Sequence, residues 1–498
     1  MKMLIIGMDG VSRGTFDRGW TPFISEVLEA GHDLNLSTDL YSRGWLELAT
    51  GEHAIRTGAA YDKPVFAQPY ALSESFKFDE IEGFTQKVIP IWSAVEKLGF
   101  KFGLMNLPTT FPAPELNGFC VAGGGGGGPV TESPTLEHCW PRSLHSILIE
   151  EGYIVDQRLQ QLILEHECES VDAVLKKMAE KNRLRTKSFI RCASERGIDV
   201  GWVVYKTSSV LVENFVQQDL YRASAGEICN ENVLKAAEQY YAEFDEQIRQ
   251  LKQAFPDASL LFVSDHGMVR RTHTVNPNIL LKKCGWYVES PRKRLSARVI
   301  AAAKKLVPFK FKMLLKGRQR LKELLGASVA FSPAATQAFC KTKGDWRYGI
   351  YINDARFRGP VKQDEYDRVV DGIIADINGS DLAKAHEITA YRAEKISHCV
   401  TEKPAWFPDI LLKLPDGYLI SDQGTEFIAE YDFSENLEPL QAILQGQIIS
   451  IKSTSPIATF VPSTSDLSTP RPSATGRGYL TDCYDFILKY LEVLKTNE

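Results

Sequence analysis

The segments MLIIGMDG (3–10) and SLLFVSDHG (259–267) are the strongest indication of the fold. Each is an apolar run that ends in a short polar turn containing an aspartate. Short apolar runs without polar alternation are typical of strands that are buried on both faces of a parallel sheet. Ligands bind beyond the carboxyl ends of such strands. We therefore expect Asp9 to lie at the same edge as Asp265 and His266.

Helical patterns alternate with further apolar runs along the chain. Residues 21–31 have helical spacing, with Pro near the start and Gly at the end. The alternation predicts an α/β fold, a three-layer α/β/α sandwich around a mostly parallel central sheet. Further helices are predicted at 90–98, through 144–193, at 232–254 and at 480–494, and further strands at 101–105, 200–205, 348–352 and 410–414.

A basic segment interrupts this pattern and suggests the domain organisation. Residues 291–326 carry twelve Lys or Arg and a single Glu, with apolar residues at helical spacing. We expect 1–290 and 345–498 to form the α/β core, with a cap-like helical stretch near 130–195 and a basic helical insertion at 291–344. We take the insertion as solvated with one buried face. The alternative is a peripheral contact with an anionic membrane surface or an anionic substrate.

The bulk composition excludes several classes of protein. The chain has 498 residues, 44% hydrophobic and 24% charged, as in ordinary globular proteins. Its net charge of -5 gives no reason to expect a nucleic-acid partner. No apolar stretch approaches the roughly 18 residues of a transmembrane segment. The nine scattered cysteines form no CxxC pair, which favours reduced thiols and a cytoplasmic location.

The polar residues at the strand ends are candidate metal ligands. A lone aspartate in such a place is also a common turn or helix-cap residue, and that alternative stays open for Asp9. The adjacent Asp265 and His266 are harder to explain in this way. Carboxylate and neutral imidazole are ligands that zinc or manganese accepts. Two strand ends that each offer a ligand would form one composite site.

Six consecutive glycines at 123–128 are the single low-complexity run. Glycine allows a backbone to approach a ligand closely, because it has no Cβ. A flexible surface loop would show the same composition. We take the run as a flexible surface loop, with a close backbone approach to a ligand as the alternative.

Several motifs together resemble the alkaline phosphatase superfamily, in its branch of type I phosphodiesterases, nucleotide pyrophosphatases and predicted phosphohydrolase/phosphomutases. SDHGM (264–268) is similar to that superfamily's most specific signature. The resemblance implies a metal-dependent phosphoesterase. The other matching segments, in the family's order, are IIGMDG (5–10), TPFISEVLEAG (21–31), MNLPTTFPAPELNGFCVAG (105–123), HTVNPNILLKKCGW (273–286), YGIYIN (348–353) and FPDILLKLPDGY (407–418).

The resemblance implies two metal ions, commonly zinc, and a Ser or Thr nucleophile. The nucleophile of the family lies ten residues before the Gly of a Thr-Gly pair, which here is Gly51. That position holds Tyr41, and Ser42 follows it, so both are candidate nucleophiles. Arg43 could pair with a phosphate oxygen or be an exposed loop arginine. Asn106 is a second candidate for substrate binding.

The ligands of one implied metal are Asp9, Asp265 and His266, and those of the second are altered. The positions of the family's Asp and His fall on Ser209 and Glu213. We assign Glu213 as a remaining ligand. The predicted cofactor is therefore one or two divalent ions, zinc first and manganese as the alternative.

Two hypotheses of function follow from the resemblance. The first is a metal-dependent hydrolase or phosphoryl transferase, acting on a phosphoester, in particular a diester, of a small-molecule or lipid-like substrate. The second is a catalytically inactive relative that binds a phosphorylated ligand or a protein partner, because the nucleophile and the second metal site are altered. A third hypothesis is that the same fold acts on sulfate or phosphonate substrates.

Overall fold

The fold is described from a computed structural model of the chain. The basic segment 291–326 lies outside the described residues, so its structure stays a prediction. No helix that the structure describes combines the length and the apolar character needed to cross a membrane. The described residues are 1–60, 63–67, 70–73, 88–126, 128–157, 159–164, 168–206, 208–290, 331–342, 349–396, 403–422, 424–431, 440, 450–463 and 478–496.

The described chain forms two compact units. The first comprises Met1–Ala59, Phe76–Arg270 and Lys452–Glu498. The second comprises Ala60–Ser75 and Arg271–Ile451. The predicted strands at 200–205 and 259–263 have the bounds that the sequence indicated.

Strands of both units are short, and most have two to six residues. They are β1 (Met3–Met8), β2 (His32–Asp33), β3 (Leu36–Ser37), β4 (Lys63–Val65), β5 (Ala71–Ser73), β6 (Phe102–Met105), β7 (Phe119–Val121), β8 (Cys139–Trp140), β9 (Val200–Tyr205), β10 (Ser259–Val263), β11 (Gly267–Arg270), β12 (His273–Val275), β13 (Ala338–Phe339), β14 (Tyr351–Ile352), β15 (Thr389–Arg392), β16 (Ile410–Lys413), β17 (Tyr418–Ile420), β18 (Ile428–Glu430), β19 (Ser450–Ser453), β20 (Ala458–Val461) and β21 (Gly478–Tyr479).

Helices are present at the predicted positions 21–31, 90–98, 232–254 and 480–494, with ends shifted by at most two residues, whereas the predicted stretch 144–193 divides into three helices and the remaining helices were not predicted. They are α1 (Pro22–Glu29), α2 (Gly44–Thr50), α3 (Ala54–Thr57), α4 (Ile91–Lys97), α5 (Leu144–Glu150), α6 (Leu159–Leu164), α7 (Val171–Arg196), α8 (Ser208–Ser224), α9 (Glu231–Ala254), α10 (Pro277–Lys283), α11 (Tyr366–Gly379), α12 (Asp381–Ala385) and α13 (Asp482–Thr496).

The central sheet of the first unit has eight strands in the order β2-β20-β10-β1-β9-β6-β7-β8. Strands β10, β1, β9, β6 and β7 run parallel to their neighbours in that series. The edge strands β2 and β8, and β20 next to β2, pair antiparallel. The sheet is therefore mostly parallel, as predicted, and β1 lies near its middle between the two strands whose ends carry polar residues.

Strand β1 is buried on both faces because its side chains alternate between two hydrophobic cores. Leu4 and Ile6 belong to a core with residues of α1, α5, α7 and α9. Met3 and Ile5 belong to a core with residues of α2, α4 and α13. Helices thus cover both faces of the sheet, which confirms the predicted three-layer α/β/α fold.

The second unit has its own core, formed by side chains such as Ile350, Ile373 and Ile410. A buried carboxylate organises its polar contacts. Asp409 accepts hydrogen bonds from the backbone N–H of Ile352 at 2.7 Å and from Tyr366 Oη at 2.7 Å. Independent cores in the two units explain why the chain separates into them.

A truncation in β1 tests the two-core arrangement. Ile5→Ala should lower the free energy of unfolding by about 2–5 kcal/mol, since it leaves a cavity between the sheet and α2. Urea denaturation followed by tryptophan fluorescence would measure this. Ile149→Ala is a matched control, because Ile149 on α5 is 49% exposed, and its effect should stay within about 0.5 kcal/mol. Equal losses in the two variants would contradict the assignment of Ile5 to the core.

Candidate metal centre

Two adjacent parallel strands bring the predicted ligands together. Asp9 directly follows β1, and β10 pairs with β1 in a register that places Gly7 opposite Val263. Ser264 fixes the turn after β10, because its Oγ accepts a hydrogen bond from Val11 N at 3.1 Å and donates one to the carbonyl of His266 at 2.6 Å. The strand order thus places the carboxylates and the imidazole at one edge of the sheet.

The three side chains form a compact, buried cluster. His266 Nε2 lies 3.4 Å from Asp265 Oδ2 and 3.7 Å from Asp9 Oδ1. Ligand atoms of all three lie within 4.8 Å of one another. Asp9, Asp265 and His266 are 8%, 3% and 1% exposed. One cation could therefore contact all three groups at once.

The tautomer of His266 fits a metal ligand. Its Nδ1 lies 2.8 Å from the carbonyl oxygen of Gly267, which can only accept, so we assign the ring proton to Nδ1. The neutral ring then presents a lone pair at Nε2 towards the carboxylates. Within the described part of the chain, this Nε2 and Asp265 Oδ1 are buried with no hydrogen-bond partner. Metal-ligating histidines typically donate their other ring N–H in this way.

Burial also makes the cluster electrostatically suited to a cation. Burial and the nearby charge of Asp9 raise the pKa of Asp265 well above its ordinary value. Burial raises the pKa of Asp9 as well, and the positive charges of Lys452 and Lys206 oppose that rise. The pKa of His266 is held well below its ordinary value, first by burial and then by Lys452. Two buried carboxylates beside a neutral imidazole carry negative charge that a divalent ion would neutralise.

The start of α2 packs directly on this cluster. Trp45 Nε1 donates to Asp9 Oδ2 at 3.2 Å. A Cβ on Gly44 would lie 2.5 Å from the carbonyl oxygen of Asp265, so glycine is required there. Sequence reasoning missed this hydrogen bond of Trp45 to Asp9. A Gly-Trp pair at a helix start is the signal that could have found it.

The candidate nucleophiles lie in the loop before α2. The backbone of Leu40 adopts the left-handed conformation, at φ 65°, which is strained for a leucine. Tyr41, Ser42 and Arg43 are all buried. The interpretation of Arg43 as an exposed surface arginine does not fit its 9% exposure. Arg43 is the N-cap of α2, and its backbone N–H donates to Ala59 O at 3.2 Å.

A second buried group of ionisable side chains, which the sequence did not reveal, lies behind Ser42. His53 Nε2 is 3.0 Å from Asp39 Oδ2 and 3.9 Å from Glu47 Oε1. Burial raises the pKa of Glu47 to about 7, although His53 and a hydrogen bond from Ser42 oppose the rise. Ser42 Oγ also accepts from Ala54 N at 3.0 Å. The hydroxyl of Ser42 is thus hydrogen-bonded to a carboxylate whose pKa is raised to about 7.

Glu213, the predicted ligand of a second metal, lies in a separate ion pair. Its carboxylate accepts two hydrogen bonds from Arg18, at 2.9 and 2.8 Å, and one from Tyr241 Oη at 2.6 Å. The cluster of Asp9, Asp265 and His266 does not include it. The reason is that the guanidinium of Arg18 already neutralises this buried carboxylate. The side chain of Ser209 lies outside the described residues.

Asn106, the other predicted substrate-binding residue, follows β6 at the same edge of the sheet. It is left-handed at φ 65°, and its side chain donates from Nδ2 to Val204 O at 2.9 Å. Its Oδ1 is buried and has no hydrogen-bond partner among the described residues. Asn106 thus offers an unsatisfied acceptor close to the strand end of β9.

Comparisons with known proteins identify a family and a fold that the chain resembles. The family model described as type I phosphodiesterase / nucleotide pyrophosphatase matches residues 3–435. A solved structure of phosphonoacetate hydrolase from Sinorhizobium meliloti, in complex with phosphonoformate, aligns with a TM-score of 0.56 at 11% identity, covering 99% of this chain and 96% of that one. This likeness shows the fold.

A second solved structure, murine ectonucleotide pyrophosphatase / phosphodiesterase 5, aligns with a TM-score of 0.44 at 14% identity. The alignment covers 99% of this chain and 95% of that one. The comparison with curated protein sequences found no match.

Metal binding by the cluster can be measured directly. Asp265→Asn and His266→Ala should each weaken zinc binding by at least about 100-fold, since each removes a ligand atom. Isothermal titration of the metal-stripped protein with zinc would give the affinities. Glu213→Gln is the discriminating control, because the structure places Glu213 outside the cluster. A loss of affinity in Glu213→Gln equal to that in Asp265→Asn would contradict the assignment.

The raised pKa of Glu47 predicts a pH dependence of stability. Between the ordinary value of 4.5 and about 7, the folded state keeps a proton on Glu47 that the unfolded state has lost. The free energy of unfolding therefore falls as the pH rises through this window, by up to about 3 kcal/mol from this group. Glu47→Gln should remove most of that decrease.

Urea denaturation from pH 5 to pH 8 would test this. The decrease that remains in Glu47→Gln is assigned to His53, because burial lowers the pKa of His53 and the charge and hydrogen bond of Asp39, which the variant keeps, raise it. The exposed Glu29 supplies the control variant Glu29→Gln, which should keep the full decrease. Identical pH profiles for Glu47→Gln and the parent protein would contradict the prediction.

Proposed function

The chain belongs to the type I phosphodiesterase / nucleotide pyrophosphatase family, and from that membership we propose that it hydrolyses phosphate diesters in a metal-dependent reaction. The family match confirms the predicted class of a metal-dependent phosphoesterase. One observation carries the proposal beyond the class. The Nε2 nitrogen of His266 is buried, has no hydrogen-bond partner among the described residues and faces the carboxylates of Asp9 and Asp265.

These three residues would hold the ion, and we propose zinc. Imidazole together with carboxylates suits zinc, while manganese tolerates the same set. When bound, a divalent ion supplies a Lewis acid that polarises a phosphoryl oxygen and stabilises developing charge. Trp45 and Gly10 orient the carboxylates through hydrogen bonds to Asp9 and Asp265. The chain itself therefore fixes the ligand geometry before any ion binds.

We propose Ser42 as the attacking group, ahead of Tyr41. Ser42 is hydrogen-bonded to Glu47, whose pKa burial raises to about 7. A base with a pKa near the working pH accepts a proton most effectively. Glu47 can thus take the hydroxyl proton of Ser42 while Ala54 N–H holds the oxygen at 3.0 Å. A serine with an adjacent base is the usual form of an activated oxygen nucleophile.

We propose a phosphorylated small molecule or lipid-like ester as substrate, and a cytoplasmic location. The cysteines that the structure describes are all free thiols, and most are buried. Burial raises the pKa of Cys120 and that of Cys340, which keeps these thiols protonated and unreactive. Unreactive buried thiols without disulfides are typical of proteins in a reducing compartment.

One observation favours the second hypothesis, an inactive relative. Glu213, where a second-metal ligand was predicted, is neutralised by Arg18. A site with one ion can bind a phosphoryl group, while stabilising charge on both sides of the transfer normally needs two cations. Activity measurements on variants separate the two hypotheses.

Turnover of bis(p-nitrophenyl) phosphate by the zinc-loaded protein provides the test. Asp265→Asn should abolish metal-dependent turnover. Ser42→Ala should lower kcat by about 10³-fold or more, as loss of a nucleophile does, while Tyr41→Phe should change kcat less than about threefold. The opposite result, with Tyr41→Phe inactive and Ser42→Ala active, would make Tyr41 the nucleophile. Zinc binding without turnover in the parent protein would favour the inactive relative.

A further inference from the structure

Lys206 lies beside the metal ligand Asp9 at the carboxyl edge of the sheet. The parallel pairing of β1 with β9 places Met8 opposite Tyr205, and these are the last residues of the two strands. The backbone N–H of Asp9 also donates to the carbonyl of Tyr205 at 3.3 Å. The next residues, Asp9 and Lys206, therefore leave the sheet side by side.

Four neighbouring strands present an ordered row of polar residues at this edge. The sheet order is β10, β1, β9 and β6. These strands are followed in turn by Asp265 with His266, by Asp9, by Lys206 and by Asn106. The anionic cluster is thus flanked on one side by a cation and then by an amide. A phosphoryl group that contacts an ion at Asp9 would meet Lys206 next in this row.

The ammonium group of Lys206 is held in place. Its Nζ donates to Gly124 O at 2.8 Å and lies 3.3 Å from Asp156 Oδ2. Asp156 in turn lies 3.2 Å from the Nζ of Lys181, which is fully buried. The side chain of Lys206 is 15% exposed. A fixed cation of this kind needs little reorganisation to bind an anion.

The glycine run accounts for the position of this lysine. A Cβ on Gly125, which is left-handed at φ 70°, would collide with Lys206 Nζ. A Cβ on Gly124 would lie 2.6 Å from Asp156 Cβ. Glycine is favoured at 125 by its left-handed backbone and at 124 by the close approach of Asp156, and the loop passes directly beside Lys206. The alternative interpretation of the run, a close backbone approach, applies here to the protein's own lysine.

Glu213, the predicted ligand of a second metal, is paired with Arg18, and we therefore consider a side-chain cation as the second positive charge of the site. We propose that Lys206 is the second cationic group of the site and binds an oxygen of the phosphoryl group beside the ion held by Asp9. Lysine binds phosphate as a point charge, and transferring phosphoryl groups spread charge over their oxygens. This inference rests on the proposed function.

Phosphate binding tests the inference without turnover. The zinc-loaded protein would be titrated with inorganic phosphate by isothermal titration calorimetry. Lys206→Met should weaken phosphate binding by about 10–100-fold, the value of one charge-assisted contact, and Lys206→Arg should keep part of the affinity. Lys101→Met is a matched control, because Lys101 is exposed and precedes β6 at the opposite edge of the sheet.

Folding and ion content are checked on the same samples. Lys206→Gln removes the charge and retains a donor for Gly124 O, so it replaces Lys206→Met if circular dichroism shows that the methionine variant is unfolded. The zinc content should be one ion per chain and unchanged in each Lys206 variant. Two ions per chain in the parent protein would overturn the inference, because the second ion would supply the charge assigned to Lys206.

Turnover of bis(p-nitrophenyl) phosphate gives the second readout. Lys206→Met should lower kcat by about 10²-fold or more, with a smaller change in KM, as for the loss of one group that stabilises the transition state. Parent-like kcat and phosphate affinity in a folded Lys206→Met would overturn the inference.

The two proposals fail in different ways. If the parent protein binds phosphate through Lys206 and hydrolyses no ester, the proposed function fails and the inference holds. If the parent protein hydrolyses the diester and Lys206 affects neither readout, the inference alone fails. If the zinc-loaded parent protein binds no phosphate, the inference is overturned whatever the activity.

Discussion

The burial of two aspartates beside a neutral imidazole is the constraint on which the site depends. Asp265 and His266 are almost completely shielded from water, and each leaves a polar atom unpaired within the described part of the chain. Unpaired buried polar atoms and like charges in one place cost free energy that a folded chain normally avoids. A divalent ion removes both costs at once. The carboxyl edge of the sheet is therefore organised around a cation, and its neighbours are arranged to keep the three ligand atoms within its reach.

The loops around the cluster contain strained backbone conformations and close contacts. Gly44 brings the start of α2 against the backbone of Asp265, and Leu40 and Asn106 adopt left-handed conformations in the loops that border the site. Residues in such conformations cost about 1–3 kcal/mol each and persist where the surrounding packing holds them. The two cores on either face of β1 supply that packing. Rigid strands thus carry the ligands, and strained loops carry the groups proposed to act on substrate.

The sequence predicts those parts of the site that depend on short segments of the chain. The apolar runs before Asp9 and Asp265 predicted buried parallel strands, and the rule that ligands bind at strand ends brought the two aspartates together. The hydrogen bond from Ser42 to Glu47 and the ion pair of Arg18 with Glu213 could not be predicted in this way. Arg18 and Glu213 are 195 positions apart, and their pairing depends on how helices pack on the sheet. Periodicity predicts which face of a helix is buried, but not which side chain it will meet.

The same distinction explains why the sequence predicts a metal ligand at Glu213 and contains no signal for Lys206. An ungapped comparison with the family's pattern selects residue types that could bind a metal, and Glu213 satisfies that test in isolation. In the folded chain Glu213 pairs with the guanidinium of Arg18, which supplies positive charge to the carboxylate without an ion. Lys206 has no recognisable motif, because its role depends on the register of β1 with β9 and on a glycine loop that follows β7. If a fixed ammonium group replaces one of two metal ions, charge at the site no longer depends entirely on the metal supply. Such a site would lack the Lewis acidity of a second metal ion, but its second positive charge would always be present.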